Sequence, residues 1–162
     1  MIIKLIKDVN SNEISCFDCG SEELNIFLKH YAKQNDKNRL GRTFVFFDDN
    51  GPIGFVTLCS ASIAFSELPK NYKLPRYPIP AIRIARLAVD KHYQGQGYGK
   101  ELLSFSLEKM VILAEYIGVK FVIVEAKEES KTFYEYFGFV SLPNNKNTYI
   151  LPIDTLAKAY RK

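Results

Sequence analysis

Residues that bind metal ions or form disulfides are scarce in this sequence of 162 residues, which has three cysteines and two histidines. Cys16 and Cys19 form a lone C-x-x-C, and no second pair of cysteines or histidines follows at zinc-ligand spacing. A structural zinc site needs four such ligands, and three cysteines cannot build the disulfide framework of a small secreted domain. The sequence therefore predicts no metal site and no disulfide-stapled fold.

Long apolar runs and a strong charge imbalance are also missing. No run approaches the ~20 residues that span a bilayer, and Lys4, Lys7 and Asp8 interrupt the apolar start too early for a signal peptide. The net charge of +4 permits a polyanionic partner without requiring one. We therefore expect a cytoplasmic protein that contacts no membrane and forms a single domain over residues 1–162.

What the sequence does contain is an alternation of strands and helices. The predicted elements are a strand near 2–7, a helix over 21–38, a β-hairpin over 42–65, an irregular proline-rich loop over 66–80, a strand over 81–89, a helix over 98–117, a strand over 119–125, a helix near 128–138, strands near 139–141 and 147–151, and a short polar tail. The β-α-β unit within 81–125 should have parallel strands. The fold class is therefore α/β or α+β, around one mixed sheet.

The first predicted helix has two distinct faces. Its apolar positions recur at helical spacing, at Leu24, Phe27, Leu28 and Tyr31. The opposite face carries a row of cations, Lys29, Lys33 and Lys37. The apolar face should be buried, whereas the lysine row is either a solvated surface or a contact for phosphates.

Three glycines in five positions, Gly95, Gly97 and Gly99, separate a buried-type strand from a helix. Such a turn is suited to binding an anion, because backbone N–H groups and the helix dipole converge where no Cβ atom blocks the approach. The dinucleotide fingerprint G-x-G-x-x-G fails because position 100 is lysine. The Walker A pattern fails because Gln94 replaces its first glycine and Glu101 replaces its Ser or Thr.

A third pattern, Q/R-x-x-G-x-G/A, fits the glycine run in full. The matching residues are Gln94, Gly95, Gln96, Gly97, Tyr98 and Gly99. With its strand and helix, this run resembles the pyrophosphate loop of the GNAT superfamily, the acyl-CoA-dependent N-acetyltransferases. About 30 residues further on, SKTFYEYFGF (130–139) resembles the superfamily's second signature, A/S-x-x-F/Y-Y-E-x-x-G-F. The resemblance implies a mostly antiparallel sheet with one parallel pair splayed around the CoA site, flanked by helices.

The resemblance also implies which residues bind acetyl-CoA, the co-substrate. Backbone N–H groups of the loop would hold its pyrophosphate, and the strand before the loop would hydrogen-bond its pantetheine arm. The implied donor-binding residues are Leu87, Ala88, Val89, Gln94, Gly95, Gln96, Gly97, Tyr98, Gly99, Lys100 and Phe133. For Lys100, a solvated position on the helix is an equal alternative to a phosphate contact.

Transfer in this superfamily is direct, so an amine attacks the thioester and a thiolate leaves. The N–H near Val89 is the natural donor to the developing oxyanion. Tyr134 occupies the superfamily's position for the general acid that protonates the thiolate. Tyr136, two residues further along the helix, points elsewhere, and we expect it to be half-buried packing.

A general base is not evident, because the strand AIRIARLAV carries no carboxylate and only Asp90 follows it. A lysine amine, with a pKa of ~10.4, is almost wholly protonated at neutral pH, whereas an α-amine near ~8 is about one tenth neutral. The missing base therefore favours an α-amine, or another weakly basic amine, as the acceptor.

Nearly the whole chain resembles one branch of the superfamily, the toxins that acetylate the α-amine of aminoacyl-tRNA and belong to toxin–antitoxin pairs. The similar segments are FDCGSEELNIFLKHYAKQN, RTFVFFDDNGPIGFVTL, YPIPAIRIARLAVD and LPIDTL. The resemblance implies aminoacyl-tRNA as acceptor, a small antitoxin as partner and a homodimer as a possible assembly. The cations that would contact RNA are Lys29, Lys33, Lys37, Arg39 and Arg42, with Arg76, Arg83 and Arg86 near the expected acceptor side.

Two alternatives to the tRNA toxin remain open. One is a GNAT enzyme for a small-molecule amine or a protein N-terminus, and the other is a catalytically idle module that binds CoA or RNA. A polyamine or aminoglycoside site should be acidic, which the arginines near the expected acceptor side disfavour. The presence of Tyr134 argues against an idle module.

Overall fold

The computed structural model describes residues 1–160, which contain strands and helices in alternation. The strands are β1 (Ile2–Leu5), β2 (Arg42–Asp48), β3 (Gly51–Ile63), β4 (Ile79–Val89), β5 (Phe121–Glu125), β6 (Val140–Leu142) and β7 (Asn145–Pro152). The α-helices are α1 (Glu22–Ile26), α2 (Ala32–Lys37), α3 (Tyr98–Leu113), α4 (Lys131–Tyr136) and α5 (Ile153–Tyr160). In the part of the chain that is described, no helix is both long enough and apolar enough to cross a membrane.

The strands form one seven-stranded sheet in the order β1-β2-β3-β4-β5-β7-β6. β4 and β5 pair in parallel, whereas β1 with β2, β2 with β3, β5 with β7 and β6 with β7 pair antiparallel. This arrangement confirms the predicted mixed, mostly antiparallel sheet with one parallel pair. The parallel pair follows from the long connection through α3, since parallel neighbours need a crossover.

The chain folds as two compact units. The first unit comprises Met1–Cys59 and Ala85–Ser106, and the second comprises Ser60–Ile84 and the chain from Leu107 onward. β3, β4 and α3 each contribute residues to both units. The expected single domain over residues 1–162 stays a prediction, and its last two residues lie outside the described part of the chain.

In the first unit, β2 and β3 form the predicted hairpin. Asp48 faces Gly51 at its tip, where the Asn50 N–H donates to Asp48 Oδ1 at 2.8 Å and Gly51 adopts a φ of 131°. Phe55 on β3 contacts the rings of Phe17 and Phe27 at centroid distances of 5.6 and 6.1 Å, within the buried core of this unit.

The first predicted helix is present but contains a π-helical turn, Phe27–Tyr31, between α1 and α2. The Ala32 N–H donates to the Phe27 carbonyl, so one extra residue fits into this turn. Ala32 therefore takes the buried position that the regular period assigned to Tyr31. Tyr31 is 57% exposed and Ala32 is fully buried, so the prediction of a buried Tyr31 is wrong.

In the second unit, β5 is buried on both faces, as its uninterrupted apolar sequence indicates. Its residues Phe121 to Val124 pair with Ala81 to Ile84 of β4 on one side. On the other side β5 pairs with β7. All four residues are less than 5% exposed, and Phe121 and Ile123 belong to the core of this unit.

The predicted polar tail is wrong, because α5 covers Ile153–Tyr160. Ile153 and Leu156 are buried and Ala157 is half-buried, while the intervening residues are exposed. Apolar residues at 153, 156, 157 and 160 have the spacing of an amphipathic helix, so the signal was present in the sequence.

α3 ends earlier than predicted, at Leu113, and a turn follows over 114–117. The Ile117 N–H donates to the Leu113 carbonyl at 3.1 Å and closes this turn. Gly118 is not among the glycines with positive φ, so it does not form a left-handed C′ cap of the helix.

Candidate active site

The glycine loop lies in the first unit, between the end of β4 and α3. Gly95 and Gly97 have φ values of 75° and 89°, the left-handed region in which glycine alone is unstrained. A Cβ on either residue would meet no atom within 4 Å. These two glycines are therefore required by their backbone conformation and not by close packing, whereas Gly99 lies inside the first turn of α3.

The exposed loop leads directly into the first turn of a long helix. The first hydrogen bond into α3 runs from the Glu101 N–H to the Gly97 carbonyl at 3.3 Å, so the preceding N–H groups have no acceptor within the helix. Gln94, Gly95, Gln96 and Gly97 are exposed. This geometry suits an anion such as a phosphate, and α3 has 16 residues whose dipoles add to it.

The side chain of Gln94 donates to two backbone carbonyls. Its Nε2 donates to the Val89 carbonyl at 2.9 Å and to the Cys19 carbonyl at 3.0 Å. Both amide hydrogens are therefore used to tie the start of the loop to the end of β4 and to the N-terminal segment. Gln96 likewise donates to the His92 carbonyl at 3.0 Å, which stabilises the loop internally.

Asp90 follows β4 directly and is buried, with 4% exposure. Its Oδ2 accepts the Asp18 N–H at 3.0 Å, and its Oδ1 accepts the His92 N–H and contacts His92 Nδ1, both at 2.9 Å. Burial acts to raise the pKa of Asp90, but the backbone N–H groups of Asp18 and His92 outweigh it, and the pKa lies below its ordinary value. Asp90 is therefore an ionised structural carboxylate with its oxygens occupied.

The short 3₁₀ turn over 91–93 connects Asp90 to the loop, and Tyr93 in this turn contacts Asp48 at the end of β2. The Tyr93 hydroxyl donates to Asp48 Oδ1 at 2.7 Å, which raises the pKa of Tyr93 to about 12. The ring of Tyr93 lies edge-on to that of Tyr98 at 5.5 Å. Tyr98 therefore has an aromatic contact with the residue before Gln94.

The end of β4, where Leu87, Ala88 and Val89 lie, approaches β3 closely at Gly54. A Cβ at Gly54 would lie 2.5 Å from the Ala88 carbonyl oxygen and 3.0 Å from Leu102 Cδ2. Only glycine fits this position without moving one of the two backbones. Ala88 is buried, while Leu87 and Val89 are half-buried.

Phe133 and Tyr134 lie in α4 of the second unit. Tyr134 is 5% exposed, and burial raises the pKa of its hydroxyl to about 12. Its ring lies 5.1 Å from that of Phe133 and 5.4 Å from that of Phe139. Tyr134 is therefore a protonated phenol throughout the physiological pH range. Tyr136 is 79% exposed, so the prediction of half-buried packing is wrong for that residue.

The predicted RNA-contacting cations are only partly free. Arg42 Nη1 contacts the buried carboxylate of Asp36 at 2.7 Å, and Arg83 contacts Glu125 at 3.8 Å. Lys33, Lys37 and Arg39 are exposed. The cations that the sequence grouped together thus differ in role, since Arg42 and Arg83 have carboxylate partners of their own.

Arg86 borders an open cavity of about 560 Å³ in the first unit. Its guanidinium lies 3.6 Å from the ring centroid of Phe27, which forms a cation–π contact. Burial lowers the pKa of Arg86 from its ordinary value. The cavity lining combines apolar, aromatic and charged side chains, namely Glu23, Ile26, Phe27, Tyr31, Asn35 and Arg86.

Three residues that contact the N-terminal segment or the end of β4 were not predicted from the sequence, namely Asp18, Asn25 and Gly54. The signal for Asp18 is a polar residue two positions before a glycine, which is typical of a side chain that accepts a backbone N–H. Hydrogen bonds from the Gly20 N–H, then from Asn25 and Lys91, hold the pKa of Asp18 well below its ordinary value. Among the described residues, no group of three or more metal-binding side chains comes together.

Comparison with known proteins identifies relatives over most of the chain. The acetyltransferase (GNAT) domain family matches residues 39–141. The probable toxin TacT of Sinorhizobium fredii is 32% identical over 92% of this chain and 90% of its own length. The tRNA-acetylating toxin of Mycobacterium tuberculosis is 32% identical over 84% of this chain and 83% of its own length.

Two solved structures share the fold of this chain. A tyrosine-to-phenylalanine mutant of KacT superimposes with a TM-score of 0.89 at 30% identity, covering 98% of both chains. AtaT in complex with acetyl-methionyl-tRNAfMet superimposes with a TM-score of 0.88 at 28% identity, covering 99% of both chains. With the family match, the sequence relatives and the shared fold together, this chain is a member of the GNAT acetyltransferase family.

Proposed function

We propose that this acetyltransferase takes its acetyl group from acetyl-CoA and transfers it to the α-amine of aminoacyl-tRNA. In this proposal it is the toxin of a toxin–antitoxin pair and acts in the cytoplasm. The observation that carries the proposal is the similarity over 84% of the chain to a tRNA-acetylating toxin and over 99% to AtaT, solved with acetyl-methionyl-tRNAfMet. AtaTR has also been solved with acetyl-CoA.

The proposed donor site consists of the glycine loop and the end of β4. Backbone N–H groups from Gly95 to Lys100 would bind the pyrophosphate, because the left-handed glycines and the start of α3 expose them. Leu87 to Val89 would hydrogen-bond the pantetheine arm in the manner of a neighbouring strand. Lys100 is exposed and would add a positive charge near the phosphates.

In the proposed reaction, an N–C bond forms between the acceptor amine and the acetyl carbon while the C–S bond breaks. The Val89 N–H would donate to the carbonyl oxygen as it gains negative charge. Tyr134 would give its hydroxyl proton to the leaving thiolate, and its raised pKa of about 12 keeps that proton available at neutral pH. The proton that the amine nitrogen loses passes to water, and the Tyr134 phenolate regains a proton from water before the next turnover.

The environment of Asp90 supports an α-amine as acceptor. Asp90 is the carboxylate nearest the end of β4 in sequence, and it already accepts the N–H groups of Asp18 and His92. An occupied carboxylate with a lowered pKa is a poor general base. An acceptor that is partly neutral by itself at pH 7 to 8 needs no such base, and an α-amine meets that condition.

An RNA acceptor and a protein partner are further parts of the proposal. The exposed Lys33, Lys37 and Arg39 in the first unit are suited to contacts with RNA phosphates. KacTA and the AtaT–AtaR complex have been solved with DNA, and AtaT–AtaR includes an antitoxin. We therefore expect a small antitoxin for this chain, and the possible homodimer stays a prediction.

The deciding experiment incubates the protein with labelled acetyl-CoA and aminoacyl-tRNA, and mass spectrometry then identifies the labelled aminoacyl group. Uncharged tRNA and N-blocked aminoacyl-tRNA are the negative controls, and Tyr134→Phe is the control for the enzyme. Label on the α-amine of a charged tRNA supports the proposal. Label on free polyamines or peptide N-termini, with none on charged tRNA, would instead establish the small-amine alternative.

A further inference from the structure

The N-terminal segment around Asp18 contacts the glycine loop although more than 70 residues separate them in sequence. Residues 90–94 lead from β4 to the glycines of the loop. We call Asp18, Cys19, Asn25 and Asp90 the clasp, because their hydrogen bonds join the N-terminal segment to both ends of residues 90–94. All four residues lie in the first unit. The clasp includes part of the segment FDCGSEELN, whose role the donor site does not explain.

The first set of hydrogen bonds in the clasp lies within the N-terminal segment itself. Asp18 Oδ1 accepts the Gly20 N–H and Asn25 Nδ2, both at 2.9 Å. Asn25 Oδ1 in turn accepts the Cys19 N–H at 2.9 Å, and Gly20 has a φ of 92°. Because the peptide N–H groups on both sides of Cys19 are held, the direction of the Cys19 carbonyl is defined.

The second set of hydrogen bonds joins this segment to the loop. The Cys19 carbonyl accepts Gln94 Nε2, and Gln94 is the residue before Gly95. Asp90 Oδ2 accepts the Asp18 N–H at 3.0 Å, and the Asp18 carbonyl accepts the Lys91 N–H at 2.8 Å. The segment therefore contacts residues 90–94 at their start, through Asp90 and Lys91, and at their end, through Gln94.

The contacts at the start of the loop matter because the loop has little packing of its own. The Cβ positions of Gly95 and Gly97 face open space, and the loop residues from Gln94 to Gly97 are exposed. A glycine-rich segment without packing has many accessible conformations in the free chain. Fixing Gln94 at the start of the loop reduces the ordering that a ligand would otherwise have to impose, and this raises affinity for the ligand.

We propose that Asp18 and Asn25 are positioning residues for the acyl donor, which act through Cys19 and Gln94 to preset the loop that binds the pyrophosphate. This inference rests on the proposed donor site. Neither residue touches the donor in this scheme. Their removal therefore weakens donor binding while the transfer step, once the donor is bound, keeps most of its rate.

The test uses the full-length protein, with calorimetric titration of CoA and initial rates at saturating acceptor. Asp18→Ala removes the carboxylate, and because the Asp18 side chain is 47% exposed, the truncation leaves no large cavity. We expect the Kd for CoA and the KM for acetyl-CoA to rise roughly tenfold, because the ligand must then order the start of the loop itself. We expect kcat to fall less than about threefold, within the context-dependence of such effects.

Two variants separate positioning from general effects. Asp18→Asn retains an oxygen that accepts the Gly20 N–H, so it should restore most of the CoA affinity. Asp8→Ala removes an exposed acidic residue elsewhere in the first unit and should leave the Kd for CoA at the wild-type value. Thermal melting of each variant shows whether an effect on Kd exceeds any effect on folding.

Each outcome decides the inference. A Kd for CoA in Asp18→Ala that matches Asp8→Ala overturns it, as does a loss confined to kcat. If Asp18→Ala does not fold, Asp18→Glu replaces it, because the longer side chain keeps the charge but displaces the carboxylate from Gly20 and Asn25. A wild-type Kd in Asp18→Glu then overturns the inference. Wild-type protein that binds no CoA would contradict the proposed function itself, which distinguishes the two failures.

Discussion

Gly54→Ala is the substitution for which the structure gives the most direct prediction. The new Cβ would lie 2.5 Å from the Ala88 carbonyl oxygen, and ordinary van der Waals contact begins near 3.4 Å. β3 and β4 must therefore separate by roughly 1 Å, a form of overpacking that costs about 1–3 kcal/mol. The reduced entropy of the unfolded chain offsets about 0.4–1 kcal/mol of this cost.

The net loss of about 1–2 kcal/mol should lower Tm by about 2–8 °C for a chain of this size. Because Ala88 and Val89 belong to the proposed donor site, the KM for acetyl-CoA should rise at the same time. Thermal melting followed by circular dichroism measures the first effect, and initial rates below the melting range measure the second.

Gly118→Ala is the matched control for this substitution. Gly118 has no positive φ, and a Cβ there meets no atom within 4 Å. The same change of residue type should therefore stabilise the protein by about 0.4–1 kcal/mol. If Gly54→Ala melts at or above the temperature of Gly118→Ala, the close approach of β3 and β4 does not constrain this position.

Three further predictions concern pH and backbone strain. With an α-amine acceptor, kcat/KM should rise with pH up to about 8 as the amine loses its proton. It should not fall near pH 10, because the pKa of Tyr134 is about 12. A fall near pH 10 that Tyr134→Phe abolishes would contradict this pKa. The Asp90 carboxylate has a folded pKa below the ordinary 3.8, so its stabilisation is complete well above pH 3.8 and is lost as pH falls through the lower folded value. In denaturant titrations Asp90→Asn should therefore be less stable than wild type at pH 7, with the gap shrinking below pH 3.8; an equal gap at pH 7 and pH 2 would refute this. Arg39 has a φ of 61°, so Arg39→Gly should stabilise the protein by about 1 kcal/mol. The same substitution should weaken tRNA binding and reduce the salt dependence of that binding. Unchanged salt dependence would show that Arg39 does not contact the RNA.

The sheet and the order of its elements were predictable because their signals are local. Uninterrupted apolar runs predicted the buried strands, and the polar residues at Asp48 to Gly51 predicted the hairpin turn. The exposed Tyr31 was not predictable in this way, because a π-helical turn changes which residue follows Phe27 on the buried face. Helical periodicity assumes a regular helix and gives no sign of an inserted residue.

The glycine loop was also predictable, but its supports were not. A sequence motif records residues that are close together in the chain. Gly95 and Gly97 belong to such a motif because their own left-handed backbone conformation requires glycine. Asp18 and Gly54 act on this region from distant parts of the chain, so their role depends on which strands and turns become neighbours. That information exists only in the folded chain.

The Asp90 carboxylate bears both on the position of the loop and on which amine the enzyme can acetylate. The same carboxylate that holds the Asp18 and His92 N–H groups would have been the simplest general base after β4, and it cannot easily fill both roles. Releasing it to accept a proton would break the hydrogen bonds that orient the start of the loop. A site built in this way favours an acceptor that is already partly neutral near pH 8, which a lysine side chain is not. The hydrogen bonds of Asp90 are thus a physical reason for an α-amine acceptor in the proposed reaction.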